Sequence, residues 1–259
     1  MLEWDISIVI IIVLLGFLAA FIDAVVGGGG LISIPALLAV GMPPSIALGT
    51  NKLASAFGSL TSALRFLRSG NVDLKIVGKL FPFVFLLSIG GASLATFLPS
   101  ELLKPIVIVI LTLVMIYTIM KKDWGNVRTF TKLTLGKAIL FAVLMSLIGF
   151  YDGFLGGGTG SFMLFILLMF GFDFLGAAGN AKVLNFASNL GALLLFMCLG
   201  QVDYFYGLIM AASMVCGSYI GAMFAIKKGV GYVKTLFIIV TAILILKNTY
   251  DYVMQLLQN

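Results

Sequence analysis

Two lysines stand where lysines are costly. Lys52 lies in the apolar run Pro44–Leu67 and Lys182 in the run Phe174–Leu199. Ser55, Ser59 and Ser62 follow Lys52 at i+3, i+7 and i+10, which aligns all four on one helical face. Lys182, Asn185 and Asn189 repeat the first three positions. Lys52 is eight residues from Pro44, about 12 Å along a helix axis, so its ammonium cannot easily snorkel to an interface. The large apolar side chains of that run favour insertion into lipid by roughly 3.5 kcal/mol, and Lys52 alone opposes it by about 2.5–3.5 kcal/mol. The stripe is therefore expected to face protein. A cation buried there can bind an anion or pair with a carboxylate, and Asp23 and Asp152 are candidate partners within or across halves. Such a pair either titrates, coupling proton to substrate movement, or simply locks helices together.

Each aspartate precedes a glycine run by four residues: Gly27, Gly28, Gly29 and Gly30 after Asp23, and Gly156, Gly157 and Gly158 after Asp152. Consecutive glycines break a helix, and broken backbone at membrane depth survives only where protein or trapped water satisfies it. The apolar segments that follow, Leu31–Gly41 and Ser161–Gly171, have eleven residues each, about 16 Å as helices and half of a hydrocarbon core. Each is expected to be the returning arm of a re-entrant hairpin with the glycines at its tip. The first amides of the returning helix then offer N–H donors and a positive dipole end to an anion, with Thr159 and Ser161 adding hydroxyls. Close packing through small residues is the alternative use of such glycines. No GK[ST] ending follows, so the runs are not phosphate loops.

The elements that must position these groups come in two copies. Phe21–Gly29 matches Phe150–Gly158 at an offset of 129, and from Asn51–Leu53 on Ala181–Val183 the offset becomes 130. It still holds at Gly70–Asp73 on Gly200–Asp203 and at Ser88–Ala92 on Ser218–Ala222. We read one transmembrane domain over residues 1–259, with repeats at about 1–122 and 134–259 and a polar linker at about 123–133. Each half holds five apolar segments: Ile6–Val26, Leu31–Gly41, Pro44–Leu67, Ile76–Leu98 and Leu103–Met120, then Leu135–Leu155, Ser161–Gly171, Phe174–Leu199, Tyr204–Ile226 and Tyr232–Val253. The loop Arg65–Lys79 carries four basic residues and its counterpart at Gly200–Phe205 none. An odd number of segments per half puts these loops on opposite sides, so the expected fold is all-α, a polytopic bundle of two inverted repeats. With both termini outside, twelve of the sixteen basic residues fall in inner loops and two in outer ones, as the positive-inside rule asks.

Composition agrees with this solvent. The 259 residues are 61% hydrophobic and 10% charged, with a mean hydropathy of +1.19, far too few charges for a water-facing surface. The acidic start, Glu3 and Asp5, is unlike a secretory signal, so the first run is expected to be a retained helix. The net charge of +6 is scattered over short loops and forms no nucleic-acid face. Cys198 and Cys216 read as buried small hydrophobes. The absence of histidine removes the commonest metal ligand and proton shuttle, and no cofactor or metal is expected. An enzyme would also need a nucleophile beside a base, which is not visible.

At these residues the sequence resembles the TauE/SafE-type sulfite exporter family of membrane permeases, also grouped with toluene-sulfonate uptake permeases. FIDAVVGGGGLISIPALLAVGMPPSIALGTNKLASAFGS carries the resemblance in the first half, with the echo YDGFLGGGTGSFMLFILLMFGFDFLGAAGNAKVLNFASNLGALL in the second. The resemblance implies a secondary transporter for a sulfur-containing anion such as sulfite, thiosulfate or an organosulfonate. It implies alternating access coupled to a proton or substrate gradient, in a prokaryotic plasma membrane, as a monomer or homodimer. It places Gly27–Gly30, Asn51, Lys52, Gly156–Gly158, Asn180, Lys182 and Asn185 around a central site. In strict register Asn51 falls on Ala181, and Asn180 on Thr50, so the two sides of that site differ. An anion channel using the same residues is the alternative; it would pass current without saturation or exchange.

Overall fold

The computed structural model describes residues 6–96, 125–131 and 133–258. Every regular element among them is a helix: α1 (Ile6–Val26), α2 (Gly30–Ala39), α3 (Pro44–Arg68), α4 (Leu74–Ala95), α5 (Leu135–Phe154), α6 (Thr159–Met169), α7 (Phe174–Cys198) and α8 (Tyr204–Gln258). Helix α8 is interrupted by non-helical Gly229, where the sequence reading expected a boundary between two segments. The expected segment Leu103–Met120 lies outside the described residues. Five helices are long and apolar enough to cross a membrane: α1, α4, α5, α7 and the first part of α8, Tyr204–Gly229. Their outward faces carry Leu14, Leu86, Leu147 and Leu208, all exposed, as lipid-facing positions are.

Helix ends are written into the chain in the same way in both halves. Helices α2, α3, α6 and α7 each end in a left-handed glycine, Gly41, Gly70, Gly171 and Gly200. At each end the glycine amide and the next amide turn back onto the last turn, as in Gly70 N to Leu67 O and Asn71 N to Phe66 O. This is the Schellman arrangement, which needs a residue without Cβ strain at that position. Pro44 opens α3 at a site where a missing N–H costs nothing.

The order of contacts fixes relative direction. Along α1 and α8, Gly16 meets Met210 and Ser213, the Phe17 carbonyl meets Gly217 and the Phe21 carbonyl meets Gly221, so the two run parallel. Thr50, Leu53 and Gly58 of α3 meet Asp203, Gly207 and Ser218 in the same order. Helices α4 and α5 are also parallel, with Val84 against Gly149 and Ser88 against Gly153. By contrast α3 and α7 are antiparallel: Gly49 meets Phe196, Lys52 bonds Asn189, and Phe66 meets Gly179. Helices α1 and α3 therefore share a direction, and the ten residues of α2 lie between them in the chain.

Contacts between the halves are reciprocal. The Asp203 amide donates to Thr50 Oγ1 at 2.9 Å, and the Asp73 amide donates to Asn180 Oδ1 at 2.9 Å. A Cβ on Gly49 would lie 1.9 Å from the Gln201 carbonyl oxygen, and one on Gly179 2.5 Å from that of Asn71. In each case positions one repeat offset apart exchange partners. Bare backbone allows these approaches, so Gly91→Val, whose Cβ would sit 1.8 Å from the Phe150 carbonyl oxygen, should cost about 1–3 kcal/mol. Thermal unfolding in detergent should register a lowered midpoint for it and none for Gly78→Ala, a position with open space around it. Equal midpoints would contradict this packing.

Candidate functional site

The two glycine breaks meet each other. Gly27 is packed so tightly on the Gly160–Ser161 backbone that a Cβ would lie 2.2 Å from it, and a Cβ on Gly30 would lie 2.8 Å from the Gly156 carbonyl oxygen. Ser161 Oγ donates to the Val26 carbonyl at 3.0 Å, tying the second break to the end of α1. Thr159 Oγ1 donates to Gly156 O at 3.2 Å, and the Tyr151 hydroxyl to Gly157 O at 2.5 Å. Both hydroxyls of the second break are thus spent on backbone, and Gly27, Gly28, Gly157, Gly158 and Thr159 build the joint without lining the cavity beside it.

Around this joint two ion pairs cross between the halves. Lys52 Nζ lies 3.0 Å from Asp152 Oδ1, with side-chain exposures of 1% and 2%; Lys182 Nζ lies 2.6 Å from Asp23 Oδ2, with 2% and 21%. The sequence left pairing within or across halves open, and the structure makes it crosswise. Lys52 also donates to the Asp152 carbonyl at 2.5 Å and to Asn189 Oδ1 at 3.2 Å. Asp152 Oδ2 accepts from Ser188 Oγ, and from Asn185 Nδ2 at 3.5 Å. Ser188, one helical turn from Asn185, was not singled out in the sequence. Its spacing from Lys182 does not match the Lys52 stripe, so periodicity carried no signal for it.

Asp23 is the anion at the α2 terminus. Its Oδ1 accepts from the Gly29 amide at 3.1 Å while Oδ2 holds Lys182. A carboxylate at a helix start satisfies an orphan donor and complements the dipole. The amides of Leu31, Ile32 and Ser33 turn back onto Gly28 and Gly29. The first break therefore presents fewer open donors than its glycines suggest.

Beside the pairs lies a polar cavity with about 20 Å³ of room for the centre of a water molecule, little more than a single water needs. Its walls include Asp23, Gly29, Gly30, Asn51, Lys52, Ser55 and Ser59 from the first half. Asp152, Gly156, Gly160, Asn185 and Asn189 come from the second half. The buried carbonyl oxygen of Asn51 has no hydrogen-bond partner. Asn180 is elsewhere, bonded to the Asp73 amide and, at 2.7 Å, to Gly176 O. It fastens the loop before α4, the role Thr50 plays before α8, which accounts for their shared register. Lys182 does not line the cavity, but its ammonium lies behind two residues that do, Asp23 and Gly160. Cys198 and Cys216 are exposed on their helices, correcting the buried reading: an apolar run fixes depth but not which face turns inward.

The family model described as sulfite exporter TauE/SafE matches residues 12–248. The chain belongs to the TauE/SafE family. It is 39% identical to a probable membrane transporter protein, ORF9, of Sinorhizobium sp. over 239 residues, covering 91% of this chain and 90% of the relative. A probable membrane transporter protein of Haemophilus influenzae is 38% identical over 252 residues, 96% and 98% of the two chains. The Escherichia coli K12 probable membrane transporter protein YfcA is 34% identical over 236 residues, 90% and 87%. No solved structure matches the chain. Membership of TauE/SafE and the apolar helices together make this a membrane protein of a transporter family.

The ion pair gives a test of its own. Lys52→Ala leaves Asp152 buried beside neutral donors and should cost about 3–5 kcal/mol, whereas Lys52→Ala with Asp152→Ala should cost less than the single change. Unfolding midpoints of the two singles and the double in one detergent decide this; simple additivity would mean the pair is not coupled.

Proposed function

We propose that the chain is an alternating-access transporter for a small sulfur-containing anion, sulfite, thiosulfate or an organosulfonate, driven by a proton or substrate gradient. Its halves are inverted relative to each other across the plasma membrane, with both termini outside. The two glycine breaks are the tips of re-entrant hairpins that meet at the midplane. The antiparallel course of α3 and α7 and the parallel packing of α1 on α8 and of α4 on α5 support this arrangement. Tip-to-tip contact of hairpins arriving from opposite directions favours mid-depth for both.

One observation carries the reading of the site: two lysines, each about 1% exposed, converge on the joint where the two broken helices touch. Buried ammonium groups, broken backbone and a polar cavity in one place are what recognition of a desolvated oxyanion requires. Lys52, Asn51, Ser55, Asn185, Asn189 and the glycine backbones would replace its hydration shell. The cavity is too small for an oxyanion, so the site must open to load, which favours a carrier over a channel.

Reconstituted protein should take up labelled sulfite, thiosulfate or sulfonate with saturation and trans-stimulation. Lys52→Ala combined with Lys182→Ala should lower that flux at least about tenfold, which corresponds to 1.4 kcal/mol. Unchanged flux in the double variant, or unsaturable currents, would overturn the site or the mechanism respectively. The true substrate should also raise the unfolding midpoint by mass action.

A further inference from the structure

We propose that Asp152 is the residue that binds the coupling proton, and that the site therefore loads one monovalent oxyanion together with one proton. This rests on the transport reading above. Lys52 is saturated with acceptors. An ammonium has three donors, and Lys52 meets three acceptors: Asp152 Oδ1 at 3.0 Å, the Asp152 carbonyl at 2.5 Å and Asn189 Oδ1 at 3.2 Å. No hydrogen is left for an incoming anion. The backbone carbonyl is fixed at the end of α5, so the anion must displace the carboxylate oxygen or the Asn189 amide, and only the carboxylate repels it.

Charge balance sets what comes with it. Lys52, Lys182, Asp23 and Asp152 sum to zero, and they are the charged groups gathered at the joint. The other groups in contact with the Asp152 carboxylate are uncharged, Asn185 and Ser188 on α7 and Gly156 after α5, as are Ser88 and Ala92 of α4, which pack on the adjoining Gly153. Tyr151, next in the chain, directs its hydroxyl to Gly157 O. A monovalent anion taken into this neutral, buried set leaves one uncompensated negative charge, which is costly without a counter-charge. A proton from the same aqueous phase, added to Oδ1, restores neutrality. The new O–H can then donate to the oxyanion beside Lys52, while Oδ2 keeps Ser188 and Asn185. On release to the other side the anion leaves, the proton returns to water and Oδ1 retakes the ammonium. A divalent anion would leave the loaded site charged.

Asp23 is the wrong carboxylate for this. Like Asp152 it is engaged at both oxygens, by the Lys182 ammonium and the Gly29 amide, but its lysine does not line the cavity, so an anion held there could not take over the ammonium that protonation would strand. It holds the first hairpin tip to α7.

The test uses the full chain in phosphatidylethanolamine–phosphatidylglycerol vesicles with an imposed pH gradient and a voltage clamped by potassium and valinomycin. The probes are methanesulfonate and hydrogensulfite. Wild type should accumulate the transported monoanion about tenfold per pH unit and ignore voltage, and should acidify a lumenal dye by one proton per anion, counted with methanesulfonate because hydrogensulfite releases a proton of its own near neutrality. Asp152→Asn should bring the accumulation ratio to one, Asp152→Glu should restore it, and Asp23→Asn should keep it whatever the rate. The ratio is an equilibrium quantity, so a merely structural role would not move it. Should Asp152→Asn fail to fold, Asp152→Glu and the wild-type proton count still decide: a count other than one, or voltage-driven accumulation, overturns the proposal. So does a pH-driven ratio that survives Asp152→Asn or disappears in Asp23→Asn. If neither monoanion moves but thiosulfate does, this inference falls and the transporter stands; if no sulfur anion moves, both fall.

Discussion

An ammonium group withdrawn from water needs a negative partner with good geometry, and here each partner is supplied by the opposite half of the chain. Lys52 depends on Asp152, and Lys182 on Asp23. The carboxylates stand at the ends of α1 and α5, immediately before the glycine breaks, so the pairs also fix where the broken backbone goes. Among the described residues neither buried lysine pairs with an aspartate of its own half.

Bringing those groups within 3 Å of one another demands that helices approach more closely than ordinary side chains permit. Glycine supplies the space where α4 meets α5, where α1 meets α8 and where the breaks abut. Loop amides are fastened in the same reciprocal fashion, by Thr50 in one direction and Asn180 in the other. The result is a rigid frame with most polar atoms engaged and a small polar gap at its centre. Among the described residues the buried side-chain atoms without a partner are Asn51 Oδ1, Arg65 Nε and Gln201 Oε1, and of these residues Asn51 stands on the wall of that gap.

Much of the frame was legible beforehand. Apolar runs gave α1 without error and most other helices within two or three residues, because lipid-spanning segments and Schellman glycines leave strong local marks. Of the stripe Lys52, Ser55, Ser59 and Ser62, the first three line one cavity, while Ser62 turns its hydroxyl back onto the Gly58 and Ser59 carbonyls. What stayed hidden was set by contacts distant in sequence. Periodicity cannot say whether Lys52 meets Asp23 or Asp152. It could not distinguish Asn180, which clamps a loop, from Asn189, which holds an ammonium, since both are polar residues on one helix. Thr159 likewise read as an open donor but is consumed by the Gly156 carbonyl. The cysteines were misjudged for a related reason: in a bilayer both faces of a helix are apolar, so hydrophobicity does not mark the interior.

The crosswise pairing has a consequence for how the chain is made. Lys52 and Asp152 are one hundred residues apart; at translation rates of about 5–20 residues per second, on the order of 5–20 s separate their emergence from the ribosome. Throughout that interval α3 carries a charge whose partner in the folded structure, Asp152, is not yet synthesised. Helix α3 is absent from the helices that qualify as spans by apolarity, so it has little reason to partition into lipid alone. The nascent first half must wait beside the insertion machinery or at the water interface, and seats α3 only when the second half arrives to neutralise it.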